Sequence, residues 1–398
     1  MQQGVVGSLP VESVQGVDSW LLASRHVDAA LTQIGGHLGP VTFKLAGKKV
    51  QPYSVAPWAQ EPLDPATPSC LRVLRGDFFC APFGGNALAY NQEKHPVHGE
   101  SANGLWKLSG VFQDARELAA SFSMSTSIRP GQISKMIRLV SGHTCVYTRH
   151  TLNGFSGPMP LGHHAMLKFP DEPMSGYVST SCFCHGQVLP TAFENAAQKG
   201  YQALKAGATF KSLHQVATLD GTLTDLTHYP ARPGFEDLVM IVSSPRQKLA
   251  WSAVTFPREG YAWFALKDPR VLHNTVFWIS NGGRHYAPWN SRHTRVLGIE
   301  EVTAYFHYGL AESAGANPLS RDGMPTAIEL KPDAPTTVNY IAGVVAIPHG
   351  FDRVQTLRPG EDGKSVTLVS SAGHEAQAPV DVDFLYGKQA AVGACRAT

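Results

Sequence analysis

The sequence predicts an all-β protein, a β-sandwich carrying one short helical insertion. Three observations point there. Short β-prone runs recur along the chain with turn residues between most of them, the spacing expected of a sandwich or barrel. The 398 residues include 38 glycines and 28 prolines while only 16% are charged, a balance that suits strands and turns better than helices. A single stretch, Ala192–Ala206, has helical spacing, with Phe193, Ala196, Ala197, Tyr201 and Leu204 near one face. No composition shift marks a domain boundary, so residues 1–398 read as one domain, and 43% hydrophobic residues suffice for a substantial core.

Near the start, Val27, Ala29 and Leu31 alternate, as do Val41 and Phe43, with Gly35-Gly36 between them permitting a tight reversal. This is a β-hairpin pattern, although Trp20–Thr32 can also be read as a helix. The proline-rich stretch Pro52–Pro68 resists regular structure. Strands are then expected at Lys135–Val140, Thr144–Thr151, Leu238–Ser243, Leu249–Phe256, Tyr261–Leu266, Thr275–Ile279, Arg295–Ile299, Val302–Tyr308, Thr336–Ile347, Ser365–Val369 and Val380–Leu385.

Several function classes are disfavoured. A net charge of +2 without a long basic run gives no reason to expect a nucleic-acid partner. Met1–Pro10 has neither the basic start nor the apolar run of a secretory signal. The most apolar run, Val338–Ile347, is too short to cross a bilayer and is broken by Asn339 and Gly343, so no membrane partner is expected. Six cysteines in so long a chain (Cys70, Cys80, Cys145, Cys182, Cys184 and Cys395) make no dense disulfide framework, which suits the reducing cytoplasm. Cys182-Phe183-Cys184-His185 hints at zinc, but no second ligand pair follows with matching spacing; a structural or surface role is expected and no metal site is assigned.

Four clusters place ionisable residues in turn-rich, aromatic surroundings. Arg75 follows an apolar run and leads into Gly76-Asp77-Phe78-Phe79-Cys80-Ala81-Pro82-Phe83-Gly84-Gly85; its guanidinium could bind a hydroxyl or carboxylate, or be a surface arginine. His95-Pro96-Val97-His98-Gly99-Glu100 holds His98 on a defined loop, and Trp106 just beyond could stack on the face of a ligand; a structural histidine is the alternative. In Gly162-His163-His164, an extended backbone turns the two imidazoles to opposite faces, so only one can enter a given pocket and the pair cannot easily share a metal ion. The last cluster runs from Phe277-Trp278 through Gly282-Gly283-Arg284-His285 and Trp289 to Glu300, which ends an apolar strand and is a candidate general base; Glu301 should face the other way, and such a pair could instead be a solvated edge.

Taken together, these segments resemble the aldose 1-epimerase (galactose mutarotase) superfamily. Ile34-Gly35-Gly36 resembles its first hairpin, Arg75 with Pro82-Phe83-Gly84 its arginine segment, and Pro96-Val97-His98-Gly99 its Pro-Leu-His-Gly motif. Gly162-His163-His164 resembles its Gly-Trp-His motif, Gly234-Phe235-Glu236-Asp237 its Gly-Phe-Asp segment, and Gly298-Ile299-Glu300 its Gly-Ile-Glu motif. Their order and rough spacing match over most of the chain. Departures occur at Met166-Leu167, where the family has Tyr-Phe, at the extra Glu236, and at Glu301, where the family has proline.

The resemblance implies a β-supersandwich and a cofactor-free enzyme that interconverts the α and β anomers of a monosaccharide or sugar phosphate. It implies Glu300 as base, His164 as acid and His98 as an assisting group. Arg75, Asp237, Trp106, His163 and Arg284 are the candidate substrate contacts. Two other readings stand beside it: a non-catalytic carbohydrate-binding protein on the same scaffold, and a metal-dependent β-sandwich isomerase or lyase, prompted by 17 histidines.

Overall fold

The structure, a computed structural model, describes residues 5–387. Two large antiparallel sheets dominate it, one of ten strands and one of eight. The ten-stranded sheet has Gly131–Val140, Cys145–Asn153, Thr336–Ala346, Tyr261–Lys267 and Ala250–Phe256 as its central neighbours. The eight-stranded sheet is centred on Phe235–Ser243, Asn274–Asn281 and Val296–Thr303, which pair in that order. An N-terminal five-stranded meander spans Val11–Val50, and a three-stranded meander spans Val354–Pro379. No helix among the described residues is long and apolar enough to cross a membrane.

The period-two alternation of strand side chains divides the apolar residues among three layers. Val239, Ile241, Phe277, Ile279, Leu297 and Ile299 point from the eight-stranded sheet into a core shared with Ile133, Ile137, Val338, Tyr340 and Val344 of the ten-stranded sheet. Their sequence neighbours Leu238, Met240, Val242, Val276, Trp278, Val296 and Val302 point the opposite way, under loops that carry Trp58, Leu74, Phe83 and Trp289. The outer face of the ten-stranded sheet, with Tyr147, Trp251, Phe264 and Ile341, is covered by the C-terminal meander and the 3-10 helix Val382–Tyr386. Because both faces are covered, the strands Ala250–Phe256, Tyr261–Lys267, Asn274–Asn281 and Val296–Thr303 are buried at every residue.

Most expected strands are present, and the first hairpin is Val27–Thr32 paired with Leu38–Leu45, which rules out a helix over Trp20–Thr32. Three expectations change. The helical insertion at Ala192–Ala206 shrinks to a single 3-10 turn, Ala196–Gln198, capped by the Asn195 side chain and stopped by Lys199 at φ +62°. Val380–Leu385 is not a strand, since Val382–Tyr386 forms a 3-10 helix. The runs expected at Arg295–Ile299 and Val302–Tyr308 are one strand, Val296–Thr303, after which the chain turns with Phe306 at φ +50°. Cys182 and Cys184 are exposed free cysteines, and Cys395 lies outside the described residues.

Candidate functional site

A cavity of ≈ 270 Å³ opens on the loop-covered face of the eight-stranded sheet, lined by His98, His164, Arg284, Glu300 and His307 among mainly apolar residues. Strand alternation explains why Glu300 is there. It shares a face with Val296 and Val302, whereas Ile299 and Glu301 point between the sheets. His164 reaches the same place because the chain leaves one short strand, Leu161–His163, and enters another, Ala165–Lys168, both paired with Val296–Thr303. Gly162 pairs with Val302 and Ala165 with Ile299, so His164 sits beside Glu300. Its Nε2 lies 3.2 Å from Glu300 Oε1.

The glycines of these motifs make room. A Cβ on Gly298 would lie 2.9 Å from Glu300 Oε1 and 3.0 Å from Trp278 Cβ, so only glycine leaves the carboxyl its space. A Cβ on Gly99, at φ +76°, would fall 2.1 Å from the Ala81 carbonyl oxygen, so only glycine lets the His98 loop pack this closely. His98 has φ +60°, its N–H donates to the Gly84 carbonyl at 2.7 Å, and its Nδ1 lies 3.4 Å from Cys80 Sγ. Its ring meets the rings of His164 at 4.8 Å and His307 at 5.1 Å, both edge-on. His164 stacks on Phe78 at 4.5 Å, and Phe78 stacks in turn on His37 at 4.0 Å.

Burial sets the electrostatics. Desolvation pushes the Glu300 carboxyl well above the usual carboxylate range, and Glu300 Oε2 has no hydrogen-bond partner. Desolvation first, and the neighbouring imidazoles second, push His164 down to about 3. His98 is held well below its ordinary value and His307 is lowered to about 4, both chiefly by burial. These shifts favour a neutral pair, with the carboxyl protonated and the imidazole free, over an ion pair. Arg284 forms the charged part of the wall. It pairs with Glu194 at 2.6 Å and lies over the rings of Trp289 at 4.5 Å, Phe193 at 5.1 Å and Trp278 at 5.5 Å.

Of the residues singled out in the sequence, His98, His164, Glu300 and Arg284 line this cavity, and four others point elsewhere. Arg75 is fully buried and donates to the carbonyls of Val73, Val14 and Gln15 at 3.1, 2.7 and 3.1 Å; it ties down the N-terminal hairpin. Trp106 is a core residue whose indole N–H donates to the Ser101 carbonyl at 2.9 Å, under the Lys135 ammonium. Asp237 accepts the N–H groups of Ala203 and Leu204, so its carboxylate anchors the loop that was expected to be helical. His163 faces away from His164, as alternation requires, and its Nδ1 lies 2.8 Å from Asp77 Oδ2, with the ring stacked on Tyr340 at 4.1 Å.

Glu236, beside Asp237, faces the Arg284 side of the sheet. It accepts from Trp278 Nε1 and Ser280 Oγ, each at 2.9 Å, and burial raises it to about 7. Glu301 does face the other way, but into the core rather than solvent: it pairs with Lys267 and accepts from Ser252 Oγ at 2.6 Å and Thr275 Oγ1 at 2.7 Å. His307, Phe193 and Tyr286 also line the cavity and carried no functional signal in the sequence. A larger open depression of ≈ 720 Å³ is lined by Asp18, Glu61 and Arg72 and includes none of the histidines. No group of three or more His, Cys, Asp or Glu side chains among the described residues is arranged to hold a metal ion.

Neither a protein-family model nor any curated protein matches this chain. Solved structures do. A candidate mutarotase from Salmonella typhimurium superposes with TM-score 0.57 at 12% identity, covering 85% of this chain and 94% of that one. A galactose mutarotase-like protein from Clostridium acetobutylicum gives 0.54 at 11% identity, with coverages of 85% and 99%. A GalM/aldose epimerase homologue from C. elegans gives 0.53 at 12% identity, with coverages of 83% and 100%. The chain therefore has the galactose mutarotase-like β-supersandwich fold, shared with aldose 1-epimerase-like proteins.

Proposed function

We propose that the protein is an aldose mutarotase-like isomerase that opens and recloses the ring of a monosaccharide or sugar derivative at the His164–Glu300 pair. Ring opening removes the proton from the anomeric hydroxyl, breaks the bond between C1 and the ring oxygen, and delivers a proton to that oxygen. Rotation about C1–C2 and the reverse steps give the other anomer. The net proton count is unchanged, so one donor and one acceptor suffice and the chemistry itself calls for no cofactor.

The observation that carries this reading is the juxtaposition of Glu300 and His164 at 3.2 Å inside a small aromatic cavity. Burial favours the protonated carboxyl and the free imidazole, which suits His164 as proton acceptor and Glu300 as donor at the start of the reaction. That order is the reverse of the one the resemblance implies, and transfer of one proton between the two interchanges the roles. His98 and the Arg284 guanidinium would hold hydroxyl groups and the oxygen charge that develops.

A non-catalytic sugar-binding protein is the second reading. It is favoured by Arg75 and Asp237, two of the expected contacts, which are committed to backbone groups away from the cavity. NMR exchange spectroscopy across a panel of free and phosphorylated aldoses separates the two. Enzyme-dependent exchange between anomer signals supports the isomerase, and binding without exchange on every sugar bound refutes it.

A further inference from the structure

The cavity has an unusual wall for a ligand rich in hydroxyl groups. One contiguous part of its lining is Cys70, Leu71, Leu74 and Val97. Cys70 and Leu71 come from the short helix Ser69–Arg72, Leu74 from just beyond its end, and Val97 from the loop before His98. Four of their backbone polar groups, one from each residue, are already used within the protein. The Leu71 carbonyl accepts from Trp58 Nε1 at 2.7 Å, and the Val97 carbonyl accepts from Asn103 Nδ2 at 2.8 Å. The Cys70 N–H donates to Asn103 Oδ1 at 2.9 Å, and the Leu74 carbonyl accepts from the Ala56 N–H at 2.9 Å. Leu238 extends the apolar lining from the sheet side, and its carbonyl accepts the Leu189 N–H.

A hydroxyl pressed against this wall loses its water and gains no partner, whereas a methylene or methyl group there loses nothing. The charges point the same way. Arg284 is the only formally cationic residue in the lining, and Glu194 already pairs with it. A phosphoryl group, with close to two negative charges at neutral pH, would meet a single cation whose charge Glu194 already offsets.

We infer that the preferred substrate is a neutral deoxysugar, with a hydrogen or methyl group where a common hexose carries a hydroxyl or hydroxymethyl, seated against Leu71, Leu74 and Val97. This rests on the reading of the cavity as a sugar site, and it concerns binding, so it can be tested apart from catalysis.

The test is titration of the intact protein, followed by calorimetry or by the fluorescence of Trp278 and Trp289, with 2-deoxy- and 6-deoxyhexoses, their parent hexoses of the same configuration, and the corresponding hexose 6-phosphates. At least one deoxysugar is expected to bind roughly tenfold or more tightly than its parent, with the phosphates weakest. Leu71→Asn, which places an amide on the partly exposed edge of the wall, should shrink that ratio. Parent hexoses that equal or exceed every deoxysugar, a 6-phosphate that binds best, or no binding by any deoxysugar would each overturn the inference. Tight, selective deoxysugar binding without anomer exchange would uphold it while removing the isomerase reading.

Discussion

Glu300 and Glu301 are adjacent in sequence and opposite in role, so the same substitution at each should give contrasting results. Glu301 is fully buried between the sheets with Lys267, whose ammonium also donates to the Asn274 carbonyl at 2.6 Å and Thr275 Oγ1 at 2.9 Å. Burial alone drives the Lys267 pKa down, and Glu301 opposes that shift. Glu301→Gln leaves a buried ammonium without its counter-charge. Removing one partner of a buried pair costs about 3–5 kcal/mol, a large share of the ~5–15 kcal/mol that holds a typical domain folded. Replacing both partners, as in Glu301→Gln with Lys267→Met, should recover much of the loss because no charge then remains buried. Glu300 has no buried lysine or arginine as its partner and burial pushes its carboxyl towards the protonated form, so Glu300→Gln strands no opposite charge and its stability loss should be much the smaller. Urea unfolding followed by tryptophan fluorescence, with anomer exchange measured on the same samples, distinguishes them. A Glu301→Gln protein that unfolds at the wild-type urea concentration would refute the role given to the Lys267 pair. So would one that keeps its stability yet loses exchange as Glu300→Gln does.

Three further outcomes follow from the geometry. Arg75→Met should lower stability by about 1–3 kcal/mol by removing the guanidinium that ties the Val73, Val14 and Gln15 carbonyls together and leave sugar affinity unchanged; lost affinity in a stably folded variant would put Arg75 back in the site. Arg284→Met should weaken sugar binding and also destabilise the fold by leaving Glu194 unpaired, while the double variant with Glu194→Gln should restore stability but not affinity, measured by thermal melts and titration. Acid should destabilise the protein: His164 and His293 titrate near 3 and His307 near 4 when folded, against about 6.5 unfolded, so the unfolded chain binds more protons and stability falls as pH drops below that value. The raised carboxyls of Glu236, Glu300 and Asp237 act in the opposite direction, while His37, His98 and His150 add to the histidine effect, so that lowered imidazoles outnumber raised carboxyls. A melting temperature that stays level or rises between pH 7 and 5 would contradict this.

Much of the fold was legible because strand alternation and turn residues are local signals. Val239 and Ile241 against Leu238 and Met240 already separate the two faces of one sheet. The segment from Ala192 misled for a physical reason. Phe193 is spaced from Leu204 as on a helix, yet the first serves the cavity wall and the second the core, and the backbone between them is held by the Gln202 side chain accepting the Phe193 and Glu194 N–H groups. Within the site, His98 could be read from the glycine beside it, and His164 and Glu300 from the alternation of extended backbone, which fixes their direction. Arg75 could not, because its partners at Val14 and Gln15 are some sixty positions away and only the tertiary fold brings them near. His307 was hidden at the end of what reads as a strand, where the chain instead turns at Phe306 to aim the imidazole at His98.

The most direct measurement is the rate of anomer exchange by wild-type protein and Glu300→Gln on the best-bound sugar, with affinity determined in parallel. An acid–base pair at Glu300 and His164 predicts a fall of roughly 10²–10⁴-fold in exchange, with affinity much less affected, and a comparable fall for His164→Asn. An exchange rate unchanged by Glu300→Gln would contradict the mechanism and leave a sugar-binding protein in its place.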